Sequence, residues 1–298
     1  MLSRDIEFSP ATEIVIRARK FGTGKPTCLL VHGFGEGGYV WDNVVDVLAT
    51  QCQTIVFDLR GHGNSSWDPL ARYDARTHAT DLLHAVNSMA LEEIIIIGHS
   101  LGAEIAMRIY LARPDLIKSL ILVDFSPAPE PAAVLRLLAD LKDSDRCYRS
   151  HNEYVDWLLD RRPLLQHETA EQIALSALRI NTVGTFQLKS DPALYQNTTK
   201  IEAEVPTNAR WEILRRINCP TLFVRGAGSA VLRNDIANRV VTEHLANGHL
   251  ETIPMAGHAV MSDNPRAFAK AAEHFINQQR RCAVQPNSNL SDRERTRT

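Results

Sequence analysis

Two kinds of apolar pattern take turns along this chain. Residues 13–19, 27–31, 54–57, 94–97, 120–123, 221–224 and 251–253 are short runs rich in β-branched side chains, and Ile94-Ile95-Ile96-Ile97 has no polar position at all. Between the runs, residues 40–49, 75–89 and 101–112 place apolar side chains at helical spacing. A strand without a polar face has to be covered on both sides, which is the condition of a parallel sheet wrapped by helices. The alternation predicts an α/β fold with a doubly wound, mostly parallel sheet.

The alternation stops at Asp124 and resumes near Trp211. The interval opens on the proline-rich Ser126-Pro127-Ala128-Pro129-Glu130-Pro131 and then reads as helices only. Val134, Leu137, Leu138 and Leu141 recur at helical spacing, and Ser150 with Glu153 and Thr169 with Gln172 form two capping-box signatures. Residues 1–126 and 211–279 are thus expected to form the core domain, with 127–210 a helical cap over one edge of the sheet. Asn264-Pro265 pairs a good N-cap with a proline suited to the first turn of the last helix. Residues 280–298 are polar, arginine-bearing and aperiodic, and read as a disordered tail.

Composition narrows the partners. At 298 residues, 44% apolar and 23% charged, the chain has an ordinary globular make-up. A net charge of −2 offers no basic surplus for nucleic acid. No apolar run approaches the roughly 18 residues that cross a bilayer, so no membrane partner is expected. The opening Met1-Leu2-Ser3-Arg4 lacks the apolar core of a secretory signal. Five cysteines without a C-x-x-C pair fit the reduced thiols of a cytoplasmic protein, and neither a disulfide framework nor a zinc site is expected. Gly22-Thr23-Gly24-Lys25 lacks the spacing of a phosphate-binding loop, no dinucleotide fingerprint is present, and no cofactor or metal is expected. The oligomeric state is open.

The chemistry centres on Gly98-His99-Ser100-Leu101-Gly102, a G-x-S-x-G that follows a strand and opens a helix. Such a bend projects the Ser100 hydroxyl at the carboxyl end of the sheet, and its flanking positions must lack bulk. The helix beginning at Leu101 aims free backbone N–H groups at the same point.

With that motif in that place, the chain resembles the α/β-hydrolase superfamily from about Glu13 to Gln278, in its branch of capped small-molecule serine hydrolases. Val31-His32-Gly33-Phe34-Gly35 is similar to the family's oxyanion loop after the third strand. The resemblance implies an oxyanion hole made by the backbone N–H groups of Phe34 and Leu101, with His32 organising the loop. Asp58-Leu59-Arg60-Gly61-His62 resembles the turn after the fourth strand, where Asp58, Arg60 and His62 are expected to be scaffold. The family's histidine position falls on His258, after the last strand. A serine needs an imidazole to take its proton and return it to the leaving group.

The acid departs from the commonest pattern. The family's usual position after the penultimate strand holds Ser229, and a neutral hydroxyl cannot stabilise an imidazolium as a carboxylate does. Asp124, immediately after the sixth strand, is the replacement, as in some relatives; Asp235 and Asp263 are the other contenders. Ser100, Asp124 and His258 together imply acyl transfer to water, and the resemblance implies a small-molecule substrate, an ester or amide of a soluble metabolite. Carbon–carbon bond hydrolysis or cofactor-free oxygenation on the same scaffold is an alternative, and so is a receptor that binds without turnover. Cap residues Tyr154, Trp157, Arg179 and Phe186 are candidate substrate contacts, with Trp157 and Arg179 foremost; an arginine there would suit a carboxylate-bearing substrate.

Overall fold

The computed structural model describes residues 2–196 and 207–282. Eight strands form one sheet: β1 (Arg4–Ala11), β2 (Ile14–Phe21), β3 (Thr27–Val31), β4 (Gln53–Phe57), β5 (Ile94–His99), β6 (Ile117–Val123), β9 (Thr221–Gly226) and β10 (Gly248–Ile253). Their spatial order is β1-β2-β4-β3-β5-β6-β9-β10. β1 and β2 pair antiparallel, as do β2 and β4, and every other pairing is parallel.

Both faces are covered, and the isoleucine run of β5 explains itself by it. Ile94 and Ile96 pack with α2 (Ala75–Ser88) and α3 (Leu101–Ala112), whose Leu82, Ala85, Ile105 and Ile109 are buried. Ile95 and Ile97 face the opposite layer, made by α1 (Asp42–Leu48) and the closing α11 (Pro265–Cys282) through Val44, Leu48, Phe268 and Ile276. Period-two alternation is present, but both of its faces are apolar.

The chain leaves β3 toward the α1 face and leaves β5 toward the α2–α3 face. The sheet reverses its winding between these two neighbours, and a crevice opens at their carboxyl ends, where ligands bind in such folds. That reversal sets Phe34 and Ser100 on opposite lips of one crevice.

The interval between β6 and β9 forms α4 (Pro131–Ser144), α5 (His151–Arg161), α6 (His167–Ala177), α7 (Ala193–Gln196) and α8 (Thr207–Arg215). It is not helical throughout: β7 (Leu178–Ile180) and β8 (Phe186–Leu188) make an antiparallel hairpin. Ser150 caps α5 by accepting from the Glu153 N–H, as the sequence predicts. Thr169 does not cap α6; it lies inside the helix, and Gln166 is the N-cap residue. Strand β1 has no counterpart in the sequence reading because it is an edge strand with one wet face, RDIEFSPA, in which only Ile6 and Phe8 turn toward the core. After β9 come α9 (Asn234–Arg239), β10, the short α10 (Val260–Asp263) and α11. α11 runs through Cys282, past the expected start of the tail at residue 280; the rest of that expectation, 283–298, lies outside the described residues, as does 197–206.

The turn after β4 is braced by charge. Arg60 grips Asp81 on α2 with two hydrogen bonds, at 2.9 and 2.6 Å, and Asp68 with a third at 2.6 Å, all three side chains being buried. Asp58 accepts from the Gly38 N–H at 2.6 Å and the Asn64 N–H at 2.8 Å, tying this turn to the loop after β3. Arg60→Met would leave the buried Asp81 carboxylate without its guanidinium, while Asp68 keeps its two bonds from Arg72, and a loss of about 3–5 kcal/mol is expected on urea unfolding.

Candidate active site

Five strand ends deliver the candidate residues to the same edge of the sheet. Ser100 follows β5 with φ of +51° and ψ of −111°, a conformation that L residues occupy only under constraint. The constraint is visible in the flanking glycines. A Cβ on Gly98 would stand 2.2 Å from the Gly102 carbonyl oxygen, and one on Gly102 would stand 2.2 Å from that of Val31. The elbow is pressed against itself and against the end of β3, so only hydrogen fits at either position.

Asp124 follows β6, fully buried, with φ of +46°. Its Oδ1 lies 2.9 Å from His258 Nδ1 and accepts from the Ser229 hydroxyl at 2.5 Å. Its Oδ2 accepts from the Gly226 N–H at 2.8 Å. A carboxylate only accepts, so His258 carries a proton on Nδ1. The His258 ring centroid is 4.7 Å from that of His99, the residue before Ser100, which sets the imidazole beside the elbow.

Ser229, at the place where a carboxylate was expected, serves that carboxylate instead. While donating to Asp124 it accepts from the backbone N–H groups of Val231 and Leu232, at 3.2 and 3.1 Å. The other two contenders hold no bond to His258 among the described residues. Asp235 is exposed and pairs with Arg233. Asp263 accepts from the Gly257 N–H at 2.9 Å and from Arg162 at 3.0 Å, which fixes the backbone next to His258 and ties it to the end of α5.

The loop after β3 is held at every residue around Phe34. His32 Nδ1–H donates to the Gly33 carbonyl at 2.8 Å while its Nε2 accepts from the Leu59 N–H at 3.0 Å. His62 Nε2 accepts from the Gly35 N–H at 3.1 Å, and its Nδ1–H donates to the Arg60 carbonyl. Each of these two rings has one donor and one acceptor before it, so both are neutral. Burial, the largest influence, pushes the His62 pKa well below its ordinary value and lowers that of His32. The Phe34 N–H and the Leu101 N–H are left without a partner among the described residues.

The segment between β6 and β9 comes down on this loop. Phe34 meets the Tyr195 ring edge-on at 6.2 Å, and Phe34 and Tyr39 pack against a cluster of Tyr148, Tyr154, Leu158 and Leu194. Tyr154 is part of that core. Trp157 stacks on Tyr154 at 5.7 Å and donates to Asp143, and Arg161 lies over its ring. Arg179 sits over Trp67, 4.5 Å from the ring centroid, in a surface cavity of about 440 Å³ shared with Asn64 and Lys189. Phe186 packs on His151 in the hairpin. Among the described residues, none of these four makes a hydrogen bond, ion pair or ring contact with Ser100, Asp124 or His258. Two residues that matter escaped the sequence reading, Glu36 and His99: their side chains are 2.9 Å apart but lie 63 positions apart in the chain.

No cluster of metal-ligating side chains occurs among the described residues, and no described helix is long and apolar enough to cross a membrane. Ser229→Ala would strip the acceptor from two backbone N–H groups and one donor from Asp124, and a destabilisation of about 1–3 kcal/mol is expected in a urea titration.

The comparisons with known proteins agree with this architecture. A 2-(acetamidomethylene)succinate hydrolase of Mesorhizobium japonicum is 28% identical over 265 residues, 88% of this chain and 92% of that one. A putative carbamate hydrolase of Pseudomonas savastanoi pv. phaseolicola is 25% identical over 259 residues, covering 85% and 95% of the two chains. The crystal structure of E-2-(acetamidomethylene)succinate hydrolase superposes with a TM-score of 0.82 at 24% identity, covering 93% of this chain and 100% of that one, a likeness of fold. The model of the alpha/beta hydrolase family matches residues 28–271, well over half the sequence. The chain belongs to the alpha/beta hydrolase family of enzymes.

Proposed function

We propose that the protein is a serine hydrolase that cleaves an ester or amide bond of a small soluble metabolite through an acyl-serine intermediate. The observation that carries this reading is the 2.9 Å contact between His258 Nδ1 and the buried Asp124 carboxylate, made beside the Ser100 elbow. With Nδ1–H committed to Asp124, His258 Nε2 takes the Ser100 proton as Oγ attacks the substrate carbonyl. The tetrahedral oxyanion is stabilised by the Phe34 and Leu101 N–H groups; preorganised donors of this kind contribute on the order of 3 kcal/mol each. Collapse expels the alcohol or amine, which takes the proton from His258. Water, deprotonated by the same nitrogen, then releases the carboxylic acid and restores Ser100.

Relatives named as an acetamidomethylene-succinate hydrolase, a carbamate hydrolase and an esterase favour bonds at acyl carbon. The tyrosines and leucines of the cap that pack over Phe34 supply an apolar roof, which excludes water while the acyl-enzyme forms. Residues 127–210 act as the lid in this reading, and substrate choice rests on the side chains facing Phe34 rather than on Trp157 or Arg179.

A fluorophosphonate probe is expected to add once, at Ser100, by mass spectrometry, and Ser100→Ala to abolish both labelling and ester turnover. Absence of any adduct on the folded protein would overturn the proposal. Asp124→Asn removes the counter-charge of the imidazolium and the anchor of its tautomer; kcat is expected to fall roughly 10³–10⁴-fold. Near-normal turnover of that variant would exclude Asp124 as the acid.

A further inference from the structure

His99 stands in a different hydrogen-bonding position from the other two histidines around the site. Its Nδ1 is 2.9 Å from Glu36 Oε2, and its Nε2 is 3.0 Å from the backbone carbonyl oxygen of His258. A carbonyl oxygen accepts and cannot donate. The same Glu36 oxygen already accepts from the Gly33 N–H at 2.8 Å, which is the bonding of a carboxylate. Both ring nitrogens therefore face acceptors, and only an imidazolium, with a proton on each nitrogen, satisfies them. His32 and His62 each face one donor and one acceptor and are satisfied as neutral rings.

The three partners lie on three different loops. Glu36 and Gly33 belong to the loop after β3 that carries Phe34, His99 adjoins Ser100 at the end of β5, and the His258 carbonyl belongs to the loop after β10. Close packing supports the junction: a Cβ on Gly33 would stand 2.7 Å from His99 Nδ1 and 2.9 Å from Glu36 Oε2. We propose that the Glu36 carboxylate and the His99 imidazolium are a positioning pair that locks the oxyanion loop, the serine elbow and the loop of the base into one arrangement, and that loss of the second His99 proton releases the base. The proposal rests on the serine-hydrolase reading for its effect on turnover, whereas the protonation state of His99 does not.

The surroundings agree in sign. His99 is almost fully buried, and burial, the largest influence on it, disfavours the cation; the charges of Glu36 and Asp124 and the bonds to Glu36 and the His258 carbonyl outweigh it and raise its pKa above 6.5. The other titratable rings around the pair are His32 and His258, the latter 4.7 Å from His99. Glu36 responds in the opposite direction. Its burial, again the largest single influence, would raise its pKa, but the His99 charge and bond hold it down to about 2, against an ordinary 4.5. The pair is therefore fully formed above the ordinary carboxylate value and below the ordinary histidine value. It is lost as pH falls toward 2, or as pH rises through the elevated His99 value. After that second loss, Nε2 turns a lone pair toward the His258 carbonyl oxygen, and repulsion replaces the bond. Turnover is therefore expected to fall as pH rises through the elevated His99 value.

Two measurements test this. In protein labelled with ¹⁵N-histidine, one ring assigned by its disappearance in His99→Asn is expected to keep both nitrogens protonated at about pH 6 and to lose the second proton above the ordinary histidine value; a single protonated nitrogen at about pH 6 would overturn the pair. In Glu36→Gln, which keeps the shape of the side chain and removes its charge, the alkaline limb of kcat is expected to move to lower pH. Turnover on that limb should fall on the order of 10- to 100-fold, with KM little changed, as for a misplaced catalytic group. Glu36→Asp, which keeps the charge, is expected to restore part of the limb. An unmoved alkaline limb in folded Glu36→Gln would refute the positioning role. Failure of the fluorophosphonate to label Ser100 in the unaltered protein would instead strike the hydrolase reading, and the histidine spectrum would still decide the state of the pair.

Discussion

A carboxylate sealed away from water must have its lone pairs filled by donors, and the whole site is arranged around meeting that need at Asp124. Its backbone takes a left-handed φ at the end of β6, which turns the side chain along the strand ends. Gly226, Ser229 and His258 then supply the donors. Two of these come from the β9 turn and one from the loop after β10, so the anion knits three neighbouring strand ends together. Breaking one donor leaves a buried charge underbonded, which costs far more than an ordinary hydrogen bond contributes. The orientation of His258 follows from the same bookkeeping, because the one proton that Asp124 can accept from it fixes the tautomer.

The departure at Ser229 is resolved by this requirement. A second carboxylate at residue 229 would face Asp124 in the space where one short O–H···O bond now lies. A hydroxyl donates where a carboxylate would repel, and it still accepts from the Val231 and Leu232 N–H groups that shape the turn. The two positions are thus complementary: one holds the charge, the other the proton that stabilises it.

Much of this was legible in the sequence, for identifiable reasons. The parallel strands announce themselves because both faces of each are apolar, and the elbow because Gly98 and Gly102 are demanded by contacts shorter than any side chain permits. Asp124 emerged from the chain order of a strand end and from the absence of a carboxylate at residue 229. What escaped depends on contacts between distant parts of the chain. β1 is half exposed and its alternation is carried by two residues, and the β7–β8 hairpin is too short to establish a period. Glu36 and His99 are unremarkable as letters, since nothing local says that a carbonyl 159 positions from His99 will face its second nitrogen. Trp157 and Arg179 were attractive as substrate contacts because large polar-tipped side chains draw attention, yet each already has neighbours that engage it.

The histidines show why burial alone is a poor guide to charge. His32, His62 and His99 are all buried within the same few loops, and burial presses each toward neutrality. What separates them is the chemistry of the two atoms that each ring faces. A backbone N–H before one nitrogen requires a lone pair there, and His32 and His62 both meet one. His99 meets none, and the carboxylate beside it supplies the counter-charge that makes a buried cation tolerable. The neutral rings brace the loop after β3 from the side of the β4 turn, while the charged ring joins that loop to the Ser100 elbow and to the loop after β10.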